Sequence, residues 1–243
     1  VRKEAKSEYL SYLLHNQHWN ALSNYIQTLK SNPDWWPDLL YPMGKLRDAL
    51  KEAGRNVGKK NQEIVALYRK CKDRKMDVPL EGLDIVADIK MKEIKKSFQR
   101  LKKVELTFPE KVYNKRLQTL FNRLDQLTTK ALDILSIGSG DGIVRGYRYL
   151  VQGYEYAANK VADFEPEGKS NAYIKSFKKS MKDITAPIFA KAREFRSEAV
   201  SHIKNDDILS RDNYWFLNDS SGTFRLRYEF LEGPVLMDRG GKK

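Results

Sequence analysis

The sequence predicts an all-α fold, an array of antiparallel helical hairpins (an α-solenoid) with a small β-hairpin at its C-terminal end. Three observations predict it. Apolar residues recur at alternating steps of three and four through most of the chain, the signature of helices with one buried face. Gly and Pro fall mainly where those stretches stop and start. After a turn at residues 218–222 the period changes, with Phe224, Leu226, Tyr228 and Phe230 alternating with Arg225, Arg227 and Glu229. With Tyr214, Trp215, Phe216 and Leu217 before the turn, this reads as a hairpin.

Residues 2–15 and 18–31 read as two helices joined by a tight turn. Tyr9, Tyr12 and Leu13 on the first face Trp19, Leu22, Tyr25, Ile26 and Leu29 on the second. Asn16 is the turn residue that tolerates a left-handed backbone. Asp34, Trp35, Trp36 and Pro37 open a third helix that runs to Ala53 and stops at Gly54. Trp35 and Trp36 either fill the joint between two hairpins or offer a binding surface, and the joint is the preferred reading. Residues 59–75 form a basic amphipathic helix around Ile64, Val65, Tyr68 and Cys71, with Cys71 in the core, and residues 78–82 form a loop.

Longer helices follow over 84–106, 109–136, 142–164 and 169–204, with Pro187 expected to kink or divide the last. The 142–164 stretch carries Ile143, Tyr147, Leu150, Tyr154, Ala157, Val161 and Phe164, widened by Val144, Val151 and Ala158. Apolar over so broad an arc, it is expected to be buried on more than one side. Gly146 and Gly153 lie seven apart on that helix. A mid-helix glycine costs about 1 kcal/mol relative to alanine, so a neighbouring helix, 113–135 or 170–195, is expected to approach Gly153 closely. The chain thus divides into hairpins over 1–82, a long-helix array over 83–209 and a β-hairpin with tail over 210–243.

The bulk numbers fit this division. Of 243 residues, 41% are apolar and 32% charged, enough for a core under a strongly solvated surface. No apolar run approaches a membrane span, and a start at Val1 without a signal peptide reads as a fragment of a longer protein. A single cysteine excludes an internal disulfide. His15 and His18 read as turn residues, since nothing near them completes a metal site. The net charge of +13 would attract an acidic protein surface, anionic lipid or nucleic acid, and charge alone does not say which, so a basic helical nucleic-acid-binding protein stands as an alternative to a scaffold. Its densest run is Lys90, Lys92, Lys95, Lys96, Arg100, Lys102 and Lys103, read as a solvated helix face, with Lys95, Lys96, Arg100 and Lys103 its candidate contacts.

Two family resemblances point to a scaffold and a third to an enzyme. Ala21, Tyr25, Thr28 and Pro33, with Tyr12 before them, resemble the small, aromatic, small and proline positions of a tetratricopeptide repeat. That resemblance implies a non-enzymatic protein-interaction scaffold without a cofactor, often a subunit of a larger complex. Residues 147–169 resemble helical-repeat proteins of the bacterial envelope associated with gliding or secretion, which implies a periplasmic or envelope setting. The third resemblance lies in residues 132–142, which are similar to the first motif of S-adenosylmethionine-dependent methyltransferases, a strand running into GxGxG. It implies that Gly138, Gly140 and Gly142 hold the cofactor and that Asp163 or Glu165 binds its ribose. The helical period that continues through Leu124 to Leu135 argues against that strand, and residues 138–142 read instead as the stop of one helix and the start of the next.

Overall fold

The computed structural model describes residues 2–217, and every regular element among them is a helix. They are α1 (Arg2–His15), α2 (Trp19–Leu29), α3 (Trp36–Glu52), α4 (Gly58–Asp73), α5 (Leu80–Lys102), α6 (Glu110–Leu135), α7 (Gly140–Ala162), α8 (Asn171–Asn205) and α9 (Asn213–Leu217). A 3-10 turn over Pro33–Trp35 leads into α3. Local chemistry sets the boundaries. Gly54, at φ +71°, ends α3 in a Schellman turn, in which the Arg55 N–H donates to the Leu50 carbonyl at 2.9 Å. Ser139 and Ser170 begin α7 and α8, their hydroxyls accepting the Gly142 and Tyr173 N–H groups at 3.0 and 3.3 Å.

Helices α3, α5 and α7 form a parallel row. Gly82 lies against Leu40, Gly44 against Ile85 and Arg47 beside Asp88, so α3 and α5 advance in step. The Ser139 hydroxyl donates to Asp84 at the start of α7, and the Tyr156 hydroxyl donates to the Lys102 carbonyl at the far end. Helix α6 runs back between α5 and α7 and packs on both, while α8 closes a further side of α7. Such two-layer packing, each helix touching those one or two places away in the chain, is compatible with a helical-repeat fold.

The core is apolar and continuous. Leu124, Leu127, Ala131 and Ile134 of α6 meet Leu150, Val151, Ala157 and Val161 of α7, all buried. The close approach expected at Gly153 is made by α6: a Cβ at Gly153 would stand 2.4 Å from Leu127 Cδ2. At the far end of this seam Phe108, Tyr113, Phe164, Tyr173 and Phe177 form one aromatic cluster, with Tyr113 and Phe164 centroids 4.8 Å apart.

Several expectations are corrected. Helix α5 begins at Leu80, inside the expected 78–82 loop, because Pro79 starts the helix and Gly82 allows its first turn to pack on Leu40. Helix α8 is not divided at Pro187 and runs continuously from Asn171 to Asn205. Pro187 and Asp183, the residue whose carbonyl loses its helical donor, are both exposed, while Met181, Thr185, Ala192 and Phe195 hold the segments on either side in the core. In the first turn the left-handed residue is Gln17, at φ 56°, and not Asn16, whose side chain instead donates to the Tyr12 carbonyl. Tyr214 to Leu217 lie in α9, not in a strand, with Phe216 and Leu217 buried. The rest of the expected β-hairpin lies outside the described residues. Leu132 to Leu135 are helical, and no strand occurs among the described residues, so the strand a methyltransferase motif requires is a helix here.

Candidate interaction face

The outward stripe of the α3–α5–α7 row is left open by the even-numbered helices and carries ordered charge. Asp38, Tyr41, Lys45 and Asp48 line α3, Asp84, Asp88, Lys92 and Lys95 line α5, and Asp141, Arg145, Gln152 and Asn159 line α7. Helical spacing puts each set on one side of its helix. Asp88 is the hinge of the arrangement. From α3 it faces Arg47 at 3.6 Å, and from α7 it faces Arg145 at 3.8 Å. Arg145 also reaches Asp141 at 3.0 Å, and Asp141 accepts the Ser210 hydroxyl at 2.6 Å. One step along α7, Arg148 pairs with Asp212 at 2.6 Å, and the guanidinium groups of Arg148 and Arg196 lie 5.7 and 4.4 Å from the Trp215 ring centre. Charge therefore links three helices and the C-terminal segment in one register.

Exposed ion pairs contribute about 0–1 kcal/mol each, so this network orients the face more than it holds the fold together. Arg47 is the exception. It is 3% exposed, takes Asp48 through Nε and Nη2 at 2.9 and 2.6 Å, and its Nη1 has no partner among the described residues. Asp141, Arg145, Leu209, Ser210, Arg211 and Asp212 line a shallow cleft of about 490 Å³ at the end of the row. Two carboxylates, two guanidinium groups, a hydroxyl and Leu209, which is 67% exposed, give it both polar and apolar contacts.

The residues singled out in the sequence fall in several places. Gly146 and Gly153 are buried against Leu135 and Leu127 and belong to the helix seam. Tyr25 is half-buried, edge-on to Tyr9 at 4.9 Å, and Pro33 opens the 3-10 turn. Tyr12 is 55% exposed, and Ala21 and Thr28 also face solvent, so the repeat-packing role expected of these three is corrected: Leu22, Ile26 and Leu29 make the buried side of α2. Trp35 is 4% exposed and fills the joint, which removes it from the candidate surface. Trp36 is half-buried, donates to the Lys30 carbonyl and carries Lys70 and Arg74 on its ring. Lys95, Lys96, Arg100 and Lys103 are exposed. Cys71 is buried, which pushes its thiol pKa up.

The glycine loop is a helix junction. Gly138 turns with φ +84°, a Cβ at Gly140 would meet Ile208 at 3.1 Å, and one at Gly142 would meet Ala87 at 2.8 Å. The space beside Gly140 and Gly142 is thus occupied by the protein itself, and Asp163 caps the other end of α7, one helix length away. Among the described residues no group of three or more His, Cys, Asp and Glu side chains is placed to hold a metal ion, and no helix is long and apolar enough to cross a membrane. Sequence periodicity could not find Arg47, Asp88, Arg145 and Asp141 as a set, because their meeting depends on the stagger between α3, α5 and α7. No family model, curated protein or solved structure matches this chain.

Proposed function

We propose that the chain is a protein-interaction scaffold, a tetratricopeptide-like helical subunit of a larger assembly, with its partner docking along the α3–α5–α7 row. The observation that carries this reading is Asp88 held between Arg47 and Arg145, which fixes three open helix faces in one register. A surface ordered before binding loses less conformational freedom when a partner arrives. In this reading the cleft around Leu209 supplies an apolar contact at the end of the row, and the charged stripe sets the orientation of the partner. The assembly belongs to the bacterial envelope in this reading, a setting supported by the resemblance of residues 147–169.

Site-specific photo-crosslinking in the source cells tests the proposal. The probe is placed at Tyr41, Lys45 or Gln152 on the row, and at Lys72 or Gln126 on the even-numbered helices. The scaffold reading expects one protein to be captured from all three row positions and not from the other two. Capture confined to Lys72 and Gln126, or no protein adduct from the row, would contradict it.

A further inference from the structure

The row ends in a step. Arg47 stands beside Asp88, so the last turn of α3 reaches the level of about residue 93 of α5, and α5 continues past it for roughly 14 Å at 1.5 Å per residue. Helix α4, with 16 residues against 23 in α5, leaves the same stretch uncovered. On this overhang and at its edge Lys92, Lys95, Lys96, Arg100, Lys102 and Lys103 are all exposed, with Glu93 the one acid among them. None of the six cations forms an ion pair among the described residues, whereas Lys90, one turn back and inside the stack, is paired with Asp133. Lys51, Arg55 and Lys59, exposed at the α3–α4 turn, end at the foot of the same step.

We infer that this step, which shares Lys92 and Lys95 with the end of the row, is a further binding surface and takes the phosphate backbone of a nucleic-acid duplex. Unpaired Lys and Arg projecting from a rigid helix release counterions from a phosphate backbone and carry no information about base sequence. The exposed residues of the overhang are all polar, and lysine dominates. Protein–protein interfaces favour aromatic side chains and arginine and are depleted in lysine. A single strand would need exposed rings for its bases, but Phe98, Tyr149 and Tyr156 are half-buried, with Phe98 edge-on to Tyr149 at 5.6 Å and Lys102 and Lys160 over the Tyr156 ring. Arg100 and Lys102 also complement the C-terminal carbonyls of α5. That role does not account for Lys92, Lys95 and Lys96, which precede the last turn.

The test is fluorescence anisotropy of a labelled DNA duplex titrated with the full chain at several salt concentrations. Six phosphate contacts predict a loss of affinity of about a thousandfold between about 50 and 200 mM salt. The variant Lys95→Glu, Lys96→Glu, Arg100→Glu, Lys103→Glu should weaken binding at least tenfold and flatten the log–log salt slope by about 3 to 4. A control variant, Lys175→Glu, Lys178→Glu, Lys179→Glu, Lys182→Glu on α8, lowers the net charge equally and should leave most of the affinity intact. All eight positions are exposed, and circular dichroism of each variant should match that of the parent. Equal weakening by the two variants would mean that net charge alone acts, and would overturn the site. So would absence of duplex binding at the lower salt, or tighter binding of anionic vesicles or polyglutamate at the same residues.

Discussion

Helices α7 and α1 show how differently two regions of one array are held. Helix α7 has neighbours on three sides, α5, α6 and α8, and buries ten residues from Gly142 to Val161. Helix α1 packs on α2 and the edge of α3, buries Leu10 and Leu13, and leaves Tyr9 and Tyr12 about half exposed. Propensity alone would favour α1, since α7 carries Gly142, Gly146 and Gly153 in its interior and α1 has no glycine. In a stacked array, stability is a sum of each unit and its neighbour interfaces, and among the helices of more than ten residues α7 has the most interface and α1 the least.

The largest test of the contrast is alkaline pH. Burial pushes Tyr113 and Tyr147 up to about 12, with Glu198 adding to the shift at Tyr147. The unfolded value is about 10, so the native state keeps protons that the unfolded state loses. This stabilisation is complete below pH 10 and is lost as pH rises toward 12, by about 1.4 kcal/mol per pH unit for each tyrosine. Denaturant melts from pH 9 to 12 should show that loss, and Tyr113→Phe should lower the slope by about 1.4 kcal/mol per pH unit, with Tyr25, Tyr68 and Cys71, also raised, adding to what remains. A Tyr113→Phe slope equal to that of the parent would show that Tyr113 does not contribute.

Next in size is the α6–α7 seam. Leu127→Ala should cost about 2–5 kcal/mol, because a fully buried side chain leaves a cavity. Gly153→Leu should cost about 1–3 kcal/mol by overpacking the same contact. Since Gly153 and Leu127 touch, the double variant Gly153→Ala, Leu127→Ala should be more stable than the sum of its parts. Strict additivity in thermal melts would place the two residues apart.

Smaller again is the charged row. Asp88→Ala deprives the buried Arg47 of one of its two carboxylates, and about 1 kcal/mol is expected after allowing for solvent screening at a half-exposed partner. Combined with Arg145→Ala the loss should be less than additive, and full additivity would deny the Asp88 link between helices. Least is α1, where Tyr12→Ala should stay within about 0.5 kcal/mol. A larger drop would mean that the exposed Tyr9–Tyr12 stack carries weight there.

The helices and their seam were legible because 3.6-residue periodicity reports burial directly, as in Tyr113 to Ile134 and Val144 to Val161. The mid-helix glycine was also legible, since its propensity cost implied a close neighbour. Other features required three dimensions. Ala21 and Thr28 matched a repeat pattern that the actual packing of α2 turns outward, and Pro187 sits on a solvent side where its missing hydrogen bond is tolerated. The candidate face was illegible for a related reason: Arg47, Asp88 and Arg145 lie up to 98 positions apart in sequence, and only helix stagger brings them together.

Native-state hydrogen exchange followed by mass spectrometry tests the graded array most directly. Exchange should be slowest in peptides covering Leu124–Leu135 and Val144–Val161, opening only with global unfolding, and α1 should exchange first through local opening. Protection in α1 equal to that in α7, or opening of residues 144–161 before α1, would contradict the account.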